Sequence, residues 1–216
     1  TIVDRGQPLP LSYAQQRLWF LDRLIPDSAL YNIPTALHIK GELDVEAWEK
    51  SLQAIIQRHE SLRTTFSEVD GQGVQIIHPE LDWHLKVVDL RSLEEADRAA
   101  EVQRLVEEDM NEPFNLTEGP LMRATLIQVE QQSYVFLLNL HHIVFDGWST
   151  GVLIDELVVY YEAFRRGETP ALPELSVQYA DYAVWQRKWL DGEVLEKQLN
   201  YWREKLQGSE PLLPLP

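Results

Sequence analysis

The segment from Tyr134 to Leu140 is apolar at nearly every position, yet it is far too short to cross a bilayer. A run of that length and character reads as a central strand buried on both faces. The fold around it must therefore cover a sheet from either side. The residues after it narrow the choice further. Two imidazoles, His141 and His142, end the run, and an Asp146-Gly147 turn with a new helix start comes within a few residues. Side chains alternate along a strand, so the two histidines cannot both look into one cleft. One is free to serve as a functional group while the other is held in the packing.

The remaining segments supply the covering layers. Ser12-Tyr13-Ala14-Gln15 fits a capping box, and the helix it opens stops near Leu24, ahead of Pro26. Thr35 to Lys40 alternates as a half-buried strand. Asp44 caps a second helix with Val45, Trp48, Leu52, Ile55 and Ile56 on one face. Arg63 to Val69 and Val74 to His78 read as strands around Asp70-Gly71-Gln72-Gly73, and Leu85 to Val88 as another. Ser92-Leu93-Glu94-Glu95 repeats the capping-box pattern and opens a helix that ends before Pro113. Leu121 to Val129 pairs with the apolar run through a turn at Glu130-Gln131-Gln132. Three helices follow: Ser149 to Arg166, closed by Gly167, then Ser176 to Leu190 and Glu193 to Leu206, with Gly192 and Gly208 as stops. Strands interleaved with helices give an α/β class, a mixed sheet packed against helices.

The chain has 216 residues, enough for one domain or one large lobe. Its 35 acidic residues against 19 Lys and Arg give a formal net charge of -16, which argues against a nucleic acid partner. With no cysteine, disulfides, thiolate metal sites and a cysteine nucleophile are excluded, and a reducing, cytoplasmic setting is expected. Neither a signal peptide nor a membrane span is visible. The start, lacking Met, reads as a piece of a longer polypeptide, with a lobe over 1–208 and a Pro-rich linker beginning at 209–216.

Read from residues alone, Asp146 either orients an imidazole or anchors its loop to an arginine. A strand-end His beside an Asp is also a common structural pairing. His38, His59, His78 and His84 show no ligand spacing, so no metal is expected. Ser149 lies in no Gly-x-Ser-x-Gly elbow, and its expected task is to cap the helix that follows.

The string His141-His142-Ile143-Val144-Phe145-Asp146-Gly147 resembles the HHxxxDG signature of nonribosomal peptide synthetase condensation domains, members of the chloramphenicol acetyltransferase-like superfamily. Ser12 to Leu21 resembles their opening motif, Arg58 to Phe66 their second and Tyr179 to Trp185 their fourth, in the family's order. Val144 and Phe145 differ from the commoner Ile-Ser pairing at variable positions.

The resemblance implies one lobe of the two-lobed acetyltransferase-like fold, with the active site in the cleft between lobes. It implies amide formation between a donor acyl or peptidyl thioester and an acceptor aminoacyl thioester, with an L-configured donor. His142 is the implied active-centre residue, with His141 supporting, Asp146 structural and Gly147 allowing a close backbone approach. Arg63, or failing it Arg58, is the expected partner of Asp146. No cofactor is expected to bind directly, since phosphopantetheine arms of carrier proteins bring the substrates. Donor and acceptor carrier domains, the second lobe and an adjacent adenylation domain are the implied partners. Alone, the lobe is expected to be inactive and to self-associate through the surface that faced its other half. An epimerisation lobe and a non-catalytic docking lobe remain alternatives.

Overall fold

Residues 2–209 are described by a computed structural model. The expected linker over 209–216 thus lies, beyond Ser209, outside the described residues. The elements run β1 (Leu9–Pro10), α1 (Tyr13–Leu24), β2 (Asn32–Lys40), α2 (Val45–Arg58), β3 (Thr64–Val69), β4 (Gln72–Ile77), β5 (Lys86–Asp89), α3 (Glu95–Asn111), β6 (Met122–Glu130), β7 (Ser133–His141), α4 (Gly147–Arg165), α5 (Tyr179–Trp189) and α6 (Gly192–Leu206). A 3-10 turn, Glu60–Arg63, joins α2 to β3. The α/β expectation holds, with the strands divided between two sheets. The larger has the order β2-β7-β6-β5 and is mixed, because β5 runs parallel to β6 while the other pairs are antiparallel. The smaller, β1-β4-β3, is antiparallel.

The apolar run occupies β7, in the middle of the larger sheet. Its even positions, Tyr134, Phe136, Leu138 and Leu140, pack with Leu52, Ile55 and Ile56 of α2 and Leu153 and Leu157 of α4. Leu137 and Val135 face the other way, onto Leu105 and Val102 of α3. Both faces are covered, as an apolar strand without alternation requires.

Local chemistry sets most boundaries. Ser12 and Gln15 form the anticipated capping box at α1. The hairpin between β3 and β4 turns on Asp70 and Gly71, with φ of 51° and 77°; two positive φ values suit the right-handed twist of the flanking strands. One capping box fails. Ser92 does not cap α3, which starts at Glu95 behind Glu94 with no side-chain cap bond. The turn leaving β5 consumes the residues before it: the Leu93 N–H donates to the Leu90 carbonyl, and Arg91 pairs with Asp89.

The N-terminal segment is tied to α5. Arg5 donates to both oxygens of Asp181 (2.6 and 2.9 Å) and to Glu60 (2.8 Å), and the Val3 N–H also reaches Asp181 (2.8 Å). Asp181 is only 5 % exposed, and the Arg5 guanidinium holds its carboxyl well below the usual carboxylate range. Leu11, just after β1, and Trp19 of α1 touch β4 so closely that a Cβ on Gly73 would fall 2.7 Å from Leu11 Cδ1 and 3.0 Å from the Trp19 ring. Gly73→Val is expected to cost about 1–3 kcal/mol by overpacking, read from urea unfolding. Wild-type stability in that variant would show that α1 can yield at this contact.

Candidate active site

Strand alternation decides the fate of the two histidines. His141, the last residue of β7, is 2 % exposed. It packs against the rings of Tyr31 and Phe114, at 6.3 and 6.2 Å between centroids. Its Nδ1 accepts the Ile143 N–H at 3.1 Å, and burial lowers its pKa to about 4, so it is neutral at pH 7. It supports the loop and does not face solvent.

His142 turns the opposite way. Its N–H donates to the Tyr31 carbonyl at 2.8 Å, and its ring Nδ1 stands 2.9 Å from the Phe145 carbonyl. A carbonyl only accepts, so Nδ1 carries the proton of the neutral ring. Nε2 is thereby left with a lone pair, and no hydrogen bond among the described residues engages it. The tight turn 142–146 thus fixes both the tautomer and the aim of the imidazole.

The ring lines an open cleft of about 810 Å³, within the range of small-molecule sites. The walls come from segments far apart in sequence: Ala14, Arg17 and Leu18 of α1; Ile55 of α2 with His59, Ser61 and Leu62 just beyond it; Trp148, Val152 and Leu153 of α4; and Gln178, Tyr179 and Tyr182 at the start of α5. Direct bonds hold these walls together. Ser12 Oγ meets the Tyr179 hydroxyl at 3.0 Å, and Arg187 Nε donates to the Leu11 carbonyl at 2.7 Å. The Gln178 side chain bridges the Arg58 carbonyl and the Glu60 N–H.

Asp146 departs from expectation. It is the N-cap of α4: its Oδ1 accepts the Ser149 N–H at 2.9 Å and the Ser149 hydroxyl at 2.7 Å. These bonds lower its pKa. Ser149 is therefore not the cap but the residue held by it. Neither expected arginine pairs with Asp146. Arg63, at the junction of the 3-10 turn and β3, donates to the carbonyls of His78 and Gln57. Arg58, in the last turn of α2, binds Glu156 further along α4 at 2.9 Å. Each guanidinium is spent on the element it can reach. Gly147 opens α4, and a Cβ there would meet nothing within 4 Å. Among the described residues no contact demands glycine at that position.

His59, Glu156, Tyr31 and Arg17 escaped the sequence reading as parts of the site or its support. Glu156 had a signal: it interrupts the apolar stripe formed by Leu153, Leu157 and Tyr160 on α4, and an acid in such a stripe requires a buried partner. No metal-binding cluster occurs among the described residues, and no described helix is long and apolar enough to cross a membrane.

A family model described as the condensation domain matches residues 6–216. Similar curated proteins include a subunit of the linear gramicidin synthase of Brevibacillus parabrevis, 61 % identical over 99 % of this chain. Malpinin synthetase of Mortierella alpina is 44 % identical over 100 % of it. The match spans 3 % of either protein's length. Among solved structures, the starter condensation domain of rhizomide synthetase RzmA has a TM-score of 0.84 at 26 % identity, covering 95 % of this chain and 49 % of that one. The X-domain solved in complex with OxyB from teicoplanin biosynthesis has a TM-score of 0.85 at 33 % identity, covering 100 % and 47 %.

Proposed function

The chain belongs to the condensation-domain family, and from that premise we propose that it is the amino-terminal lobe of a domain joining two carrier-bound acyl groups through an amide bond. One observation carries the reading: four separate motif segments converge on a single cleft, into which His142 presents an imidazole whose tautomer is fixed and whose Nε2 is uncommitted. In the reaction, the amine of the acceptor thioester hydrogen-bonds to His142 Nε2 and attacks the donor carbonyl. The new C–N bond forms as the C–S bond breaks, and the proton lost by nitrogen passes by way of the imidazole to the departing thiolate. Asp146 serves by capping α4, which steadies the turn that aims His142.

Phosphopantetheine arms deliver both substrates, and the donor is L-configured, by resemblance. The second lobe forms the far wall of the cleft. The exposed aromatics of α5 suit such a partner: Tyr182, Trp185 and Trp189 form a ladder, and Trp202 of α6 is exposed as well. Carrier domains and a neighbouring adenylation domain complete the setting. A second reading, a docking lobe without turnover, is favoured by the likeness to a domain solved in complex with another protein.

The test is amide formation between two carrier-loaded thioesters, read by intact-mass spectrometry, with this chain alone and with it joined to its natural continuation. Product is expected only from the joined form. A folded joined form that yields none would overturn the condensation reading in favour of docking.

A further inference from the structure

Glu156 is a carboxylate in an apolar stripe, 8 % exposed, and the amide-forming reaction makes no use of it. Its two oxygens are divided. Oε1 accepts from Arg58 Nε at 2.9 Å, and Oε2 lies 2.7 Å from His59 Nε2. Arg58 alone balances the buried charge, so the second oxygen is not needed for neutrality. It is spent on a residue that lines the cleft. A carboxylate only accepts, which places the proton of the neutral His59 ring on Nε2 and leaves Nδ1 as an acceptor. No hydrogen bond among the described residues engages that Nδ1.

The backbone around His59 is equally constrained. Its N–H closes α2 on the Ile55 carbonyl at 3.0 Å, and Gln178 holds the residues on either side. The cleft therefore contains two imidazoles, His59 and His142, built on one plan. In each, one ring nitrogen is tied to a protein acceptor and the other is free to accept. A primary amine carries more than one N–H and gains a defined lone-pair direction when more than one is bound. The single carboxylate lining the cleft among the described residues, Asp146, has Oδ1 committed to Ser149.

We infer that His59, oriented by Glu156, is a second positioning residue for the amine-bearing substrate. The inference rests on the condensation reading. In the joined two-lobed domain, His59→Ala and Glu156→Gln are each expected to lower kcat by about ten- to a hundredfold. In the Glu156→Gln variant the new amide can keep its bond to Arg58 but offers His59 a donor in place of an acceptor. The double variant is expected to be no slower than His59→Ala alone, because Glu156 acts through His59. Nitrogen-15 spectra should show the Nε2–H tautomer of His59 in the parent and a shift toward Nδ1–H in Glu156→Gln.

A working parent with an unaffected His59→Ala, or single effects that multiply in the double variant, overturns this inference alone. So does an Nδ1–H tautomer in the parent, whatever the turnover. A parent that makes no product overturns the condensation reading and takes this inference with it.

Discussion

His142→Ala, made in the joined two-lobed domain, is expected to lower amide formation by about 10²- to 10⁴-fold, the usual contribution of a positioned proton-transfer group. The fold should barely register the change. His142 is exposed, and among the described residues its side chain makes one internal bond, to the Phe145 carbonyl. The activity loss can therefore be separated from unfolding by circular dichroism and a melting curve. His142→Asn sharpens the result, because its amide N–H can keep the tether to Phe145 while nothing replaces the basic Nε2. If the proton-accepting nitrogen matters, the Asn variant is as inactive as the Ala variant. A near-normal rate in His142→Asn would instead assign this histidine to loop support, and full activity in both would remove it from the chemistry.

The second large effect concerns its neighbour and is one of stability. In the unfolded chain His141 takes up its proton near the ordinary value of 6.5, whereas the folded protein resists until about pH 4. Between those values the unfolded state binds the extra proton, so stability rises with pH. The full contribution is present above pH 6.5 and is lost as the pH falls toward 4. Converted at the usual rate, that gap corresponds to about 3 kcal/mol. Urea unfolding of this chain at closely spaced pH values should show a decline across the window. His141→Asn should be less stable at neutral pH but flatter over the same range. Parallel pH profiles for parent and variant would place the acid sensitivity elsewhere. Asp181 acts in the same direction further down the scale: its depressed pKa gives stability above the ordinary carboxylate range that is lost on stronger acidification.

Much of this was legible in the sequence because it is local. The unbroken apolar character of Tyr134 to Leu140 identified a strand covered on both sides, and the structure places it between α2 with α4 and α3. Asp70-Gly71 announced its turn, and Ser12 with Gln15 announced the start of α1. Strand alternation alone puts His141 and His142 on opposite faces. The failures share a cause. Ser92 and Ser149 each stand where a cap could be, yet the neighbouring turn in one case and Asp146 in the other decide where the helix starts. The resemblance points Asp146 to an arginine, Arg63 or else Arg58, but a guanidinium pairs with what the packed elements bring within reach. The separation of strands into two sheets, the two-residue β1 and the bond between His59 and Glu156 depend on contacts between distant segments. No periodicity records those.

The knot around Asp181 bears on how this chain can be grafted into another polypeptide. The first regular element begins only at Leu9, which makes that residue an obvious seam. A junction there would discard the Val3 amide and the Arg5 guanidinium, and Asp181 would lose both donors together with the cover they provide. Its remaining bond, from the Gln178 N–H, sits at the turn that starts α5 and carries Tyr179 to the cleft wall. Fusions cut ahead of Val3 should keep this wall in place, whereas those cut at Leu9 would loosen it from a distance.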